Sequence, residues 1–177
     1  MRTRTGNRTR GFTLVEILMV VVMISIIAFM AVPYMQGLID KYRVRSAARE
    51  FVGLFNRVRA AAIQAPAALG NPPYQIRIDC GADTFSVDPA IPGGGKLSFS
   101  AAQDFLGVNI YAVEGNLNNA PAGEMTGVVT RGVERTGSCA LVGGTRNFTV
   151  FLSAPNNNFY RVQVYGTIGA TKILAGW

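Results

Sequence analysis

The chain predicts an α+β protein: one long N-terminal helix, its first half fit to span a membrane, packed on an antiparallel β-sheet globular domain. Three observations carry this. Residues 12–35 form an apolar run that holds one charge, Glu16. Beyond Pro33, apolar residues recur at helical spacing as far as about Pro66. From Tyr74 onward the period shifts toward two, and turn-rich stretches divide short β-prone segments.

Residues 1–11 carry Arg2, Arg4, Arg8 and Arg10 with Gly6 and Gly11, a leader too short to fold. Residues 12–33 would make about 33 Å of helix at roughly 1.5 Å per residue, matching a hydrocarbon core of about 30 Å. A cleaved secretory signal would be shorter and end in a small-x-small site. Here Ala28 and Ala31 stand three apart and the apolar run continues past them. Pro33 removes one helical hydrogen bond and is expected to kink the axis. Residues 36–66 read as an amphipathic helix. Val44, Ala48, Phe51, Phe55, Val58 and Ala62 form its apolar stripe, and Lys41, Arg45 and Arg49 line another face at i+4 steps. The segment APAALGNPP, residues 65–73, ends it.

Residues 67–177 read as the β-rich domain. Tyr74, Ile76 and Ile78 alternate with polar residues, as do Phe148, Val150 and Leu152, and Tyr160, Val162 and Val164. Weaker strand segments are 84–88, 96–100, 108–113, 127–133 and 168–174. One polar side per strand suggests an antiparallel sheet covering the apolar stripe of the helix.

The formal charge is +7, but residues 60–177 hold seven basic and seven acidic side chains. A nucleic-acid-binding domain usually shows a strongly basic face, and this balance gives it no support. The basic excess sits beside the membrane segment, on both sides of it, so the positive-inside rule leaves orientation near a tie. The basic stripe has two readings: a solvated face, or a surface meeting acidic neighbours or lipid headgroups. With no histidine and only Cys80 and Cys139, no zinc site is expected. No calcium loop or nucleophile motif is present either, so neither cofactor nor enzyme activity is expected. If the domain lies outside the cytoplasm, Cys80 and Cys139 could form one disulfide; otherwise they are two buried thiols.

The leader and helix resemble type IV pilins and the pseudopilins of type II secretion. The stretch GFTLVE, residues 11–16, fits the family motif at every position, with the basic leader, the apolar run and Pro33 in place. The resemblance implies cleavage after Gly11 by a membrane prepilin peptidase, N-methylation of Phe12, and a pilin-like fold. It also implies a cytoplasmic leader and a single-pass inner-membrane protein with a periplasmic domain, which then enters a pilus or pseudopilus with other pilins. Glu16 would meet the N-terminal amine of a neighbouring subunit and set the axial step between helices. Otherwise it is a carboxylate snorkelling at the membrane edge.

Residues 40–64, DKYRVRSAAREFVGLFNRVRAAAIQ, look like the helix of H-type pseudopilins (GspH) and FimT/FimU-type minor pilins. That subgroup implies a minor subunit that helps initiate or cap assembly, and the resemblance implies a major filament subunit as an alternative. Some FimT-type proteins bind DNA through a C-terminal G-R-x-R motif. The matching position here is Gly169-Ala170-Thr171-Lys172, which loses one of the two key cations. Arg161 and Lys172 remain as a small basic patch, so nucleic acid stands as a weaker candidate partner than the filament.

Overall fold

In a computed structural model the protein is described over residues 12–91, 98–118, 120–140, 145–155 and 157–176. Two compact units divide it, Met1–Gln36 and Gly37–Trp177. The leader and Gly11 lie outside the described residues, as do positions 96 and 97 of one expected strand.

Helix α1, Leu14–Gln64, runs through both units, with Pro33 inside it and no break in the helical assignment. Its first part is built from Leu, Val, Ile, Met and Ala, with Gly37 its first glycine. Its end follows from Pro66, which disfavours the α region for Ala65. Just past that end Arg135 holds the backbone, its Nε donating to Ala65 O at 3.3 Å and its Nη2 to Pro66 O at 2.6 Å.

In the second unit α1 buries Asp40, Val44, Ala47, Ala48, Phe51, Leu54, Phe55, Val58 and Ala62. Every residue of the expected apolar stripe is fully buried. Around it stand eight strands: β1 (Tyr74–Asp79), β2 (Thr84–Asp88), β3 (Phe99–Ser100), β4 (Asn109–Glu114), β5 (Val128–Val133), β6 (Phe148–Ala154), β7 (Asn158–Tyr165) and β8 (Ala170–Ala175). They form two antiparallel sheets, ordered β3-β2-β1-β5 and β4-β6-β7-β8, an order the sequence left open. The helix reaches both. Phe51 packs on Phe85 of the first sheet with ring centroids 4.8 Å apart, and Phe55 meets Phe148 of the second edge-on at 6.4 Å. Asp83, in the β1–β2 turn, ties the sheets by accepting from the Ile110 amide of β4 at 2.6 Å.

The alternation in β1 is as expected, buried at Tyr74, Ile76 and Ile78. β6 departs from it, being buried on both faces from Phe148 to Leu152. Its outer face is covered by the connection after β4. Thr149 Oγ1 donates to Asn116 O at 2.7 Å, and Gln163 of neighbouring β7 donates to Leu117 O at 3.4 Å. A short helix α2, Ala101–Asp104, had no counterpart in the sequence reading; Ser100 caps it, accepting from the Gln103 amide at 3.2 Å.

The disulfide expected as one alternative is not formed: Cys80 and Cys139 are free, buried thiols. The β1–β5 pairing explains the correction. Cys80 follows the Asp79↔Val128 end and donates to Gly127 O, while Cys139 bridges Val133 at the Tyr74 end. The five residue steps between these ends span about 17 Å at roughly 3.3 Å per residue. A disulfide needs Cα atoms within about 4.4–6.8 Å.

Candidate functional site

The first unit offers one exposed apolar rod with a specific beginning. Thr13 stands just before α1 and caps it. Its Oγ1 accepts from the Glu16 amide at 3.2 Å, and its carbonyl accepts from Glu16 and Ile17 at 3.1 and 3.3 Å. Glu16 is thus the third helical residue, and Thr13-Leu14-Val15-Glu16 has the spacing of a capping box. A carboxylate in the first turn is also favoured by the helix dipole, whose amino end is positive. This local role was missed in the sequence, although the T-x-x-E signature is there to be read.

Phe12 is 79% exposed, and Glu16 is exposed with no ion pair to its carboxylate among the described residues. The site therefore presents an aromatic side chain and a carboxylate within one helical turn, ahead of a continuous apolar surface. Within that surface the Ser25 hydroxyl is accounted for: its Oγ donates to Val21 O at 2.8 Å. Such back-bonding keeps a polar group satisfied where water is absent. Pro33 has no N–H, so the Phe29 carbonyl loses its usual partner. α1 is the one helix among the described residues long and apolar enough to cross a membrane.

The basic residues do not converge on a single site. Lys41, Arg45 and Arg49 are exposed along α1. Arg43 pairs with Asp40 at 3.4 Å and Arg57 with Glu50 at 3.3 Å. Arg161 is half-buried on β7, and Lys172 is exposed on β8 opposite Gln163. Gly169 has φ +64°, in the left-handed region, and its carbonyl accepts from Arg59 Nη1 at 3.2 Å. Its place in the β7–β8 turn is thereby explained by backbone geometry and by contact with α1.

Arg131 went unremarked in the sequence. It sits opposite Ile76 on the inward face of β5, 6% exposed, with its guanidinium 5.4 Å from the Phe148 ring centre. Burial pushes its pKa down from the ordinary arginine value. An arginine at an inward position leaves no mark in a sequence read by period, because a cation there reads as solvent-facing. No group of three or more His, Cys, Asp or Glu able to hold a metal occurs among the described residues.

Residues 6–32 match the family model of the prokaryotic N-terminal methylation motif. No curated protein and no solved structure matches the chain. The motif thus covers the end of the leader and most of the apolar run, and leaves the β domain to be judged by its own architecture. Together, the methylation motif and a long N-terminal helix ahead of an antiparallel β domain support a type IV pilin-like protein, and the motif implies processing by prepilin peptidase and assembly with other pilins.

Proposed function

We propose that the chain is a minor pilin or pseudopilin: a structural subunit, without enzymatic activity, that helps initiate or cap a type IV pilus or type II secretion pseudopilus. The single observation that supports this is the methylation motif at residues 6–32, placed directly on an apolar helix. In this reading the peptidase cuts after Gly11, frees the amine of Phe12 for methylation and removes four arginines from the helix end. The subunit waits in the inner membrane with its β domain in the periplasm. Assembly transfers the exposed apolar helix from lipid into a bundle of like helices. Lipid tails are as apolar as the helix, so van der Waals packing and polar pairing must select the contacts. Glu16 supplies the polar pairing. A carboxylate near the membrane centre costs about 2.5–3.5 kcal/mol on insertion scales, less near an end. Meeting the Phe12 amine of a neighbour relieves that cost at one axial step only.

Intact mass and N-terminal analysis of the protein from its native membrane tests the reading. The expected chain begins at N-methylated Phe12. A chain still beginning at Met1, in cells with active peptidase, would overturn it.

A further inference from the structure

The second unit has an apolar rim that its own core does not use. Ile39 and Tyr42 on α1 face Phe105 and Leu106, which follow α2, across an open groove of about 360 Å³ that Arg43 and Asp104 also line. Ile39 is 42% exposed, Tyr42 66% and Leu106 65%. The rim therefore draws on two separate segments of chain, so it is a feature of the folded unit and not of the helix alone.

Its place along the chain identifies what covers it. The apolar run continues through Met35, Leu38 and Ile39, broken only by Gln36 and Gly37. Ile39 lies four residues past Met35, about 6 Å further along the chain at roughly 1.5 Å per helical residue. A bilayer measures about 40–45 Å with its headgroup layers included. Ile39 and Tyr42 thus fall at headgroup depth, the level at which tyrosine concentrates in membrane proteins. The charges agree. Lys41, Arg43, Arg45 and Arg49 crowd the next two turns against Asp40 and Glu50 on the helix and Asp104 across the groove. The net of one positive charge, with Lys41, Arg45 and Arg49 exposed along the helix, suits anionic headgroups.

We propose that the rim formed by Ile39, Tyr42 and Leu106 lies in the headgroup layer of an anionic membrane before assembly, so that the β domain is seated on the lipid surface and not merely tethered above it. The proposal rests on the membrane-anchored reading given above. It adds a second contact that positions the domain.

Site-directed spin labelling of the full chain, in vesicles of phosphatidylcholine and phosphatidylglycerol, tests it. Cys80 and Cys139 are buried, so nitroxides are placed by Leu106→Cys, by Thr130→Cys on the exposed face of β5, and by Ala31→Cys within the apolar run. The readout is accessibility to oxygen relative to a water-soluble nickel chelate. The expected result is a ratio at position 106 several-fold above that at position 130. Equal ratios at 106 and 130, with position 31 still oxygen-rich, would overturn the seated rim and leave the membrane anchor standing. Loss of access to both reagents at 106 would also overturn it, showing a protein cover in place of lipid. A position 31 as aqueous as position 130 would remove the membrane reading itself, and the rim with it.

Discussion

Thr13 closes the first turn of α1 by accepting from the Glu16 amide at 3.2 Å, and removal of such a cap typically costs about 0.5–2 kcal/mol. Thr13→Ala is therefore expected to speed amide exchange at Glu16 and Ile17, while Thr13→Ser keeps it slow. Equal protection in all three chains would show that the cap contributes nothing. The two thiols make a second residue-scale case. Burial pushes both Cys80 and Cys139 up to about 11 from an ordinary 9.0. Asp79 and Asp83 add to the shift at Cys80, while Arg131 opposes it at Cys139. The folded chain then holds protons that the unfolded chain has lost above about pH 9. The resulting contribution to stability is complete below pH 9 and is lost as pH rises toward 11. The denaturation midpoint of the wild type should accordingly fall more steeply across that window than that of the Cys80→Ser, Cys139→Ser double variant. Parallel curves would place the thiols in water.

At the scale of elements, α1 in the second unit is held by a stripe that touches both sheets. Phe55 is fully buried and meets Phe148 edge-on. Phe55→Ala would leave a void where the helix crosses the second sheet, at a cost of about 3–5 kcal/mol, read as a lowered midpoint in denaturant. A shift no larger than that of an exposed change such as Thr130→Ala would mean the helix is not braced there. The strands show how far periodicity reaches. β1 was legible because its outer residues Gln75 and Arg77 face water. β6 was only half legible: Phe151 lies on the outer face yet is fully buried, on the same side as Thr149, which donates to Asn116 O in the connection after β4. β3 ends at Ser100 because the chain turns at once into α2. Local pattern reports one face against water, and a second layer of chain erases that contrast.

At the scale of the whole molecule, the proposed function makes Glu16 the residue on which filament assembly would turn. Its cap geometry satisfies the Glu16 backbone amide but leaves the carboxylate exposed. Glu16→Ala is expected to stay in the membrane, since it only raises the apolarity of the span, and to lower incorporation into filaments. Unchanged incorporation, measured on sheared filaments against membrane-retained protein, would sink the role in axial register. Gln in its place should recover little, because the pairing needs a charge opposite the amine.

What the sequence by itself determined is the order of the parts: a basic leader, an apolar helix with one carboxylate at its start, an amphipathic continuation, and a β-rich domain. These are properties of neighbours in the chain, set by charge, period and the reach of a helical turn. The tertiary structure alone decided that the strands divide into two sheets and that the buried Arg131 lies over Phe148. It also decided that Cys80 and Cys139 lie at opposite ends of the β1–β5 pairing, and that Leu106 comes to face Ile39 and Tyr42. Each of these depends on which segments far apart in the chain end up side by side. That choice is made by the summed burial of many faces at once, and no single stretch of residues records it.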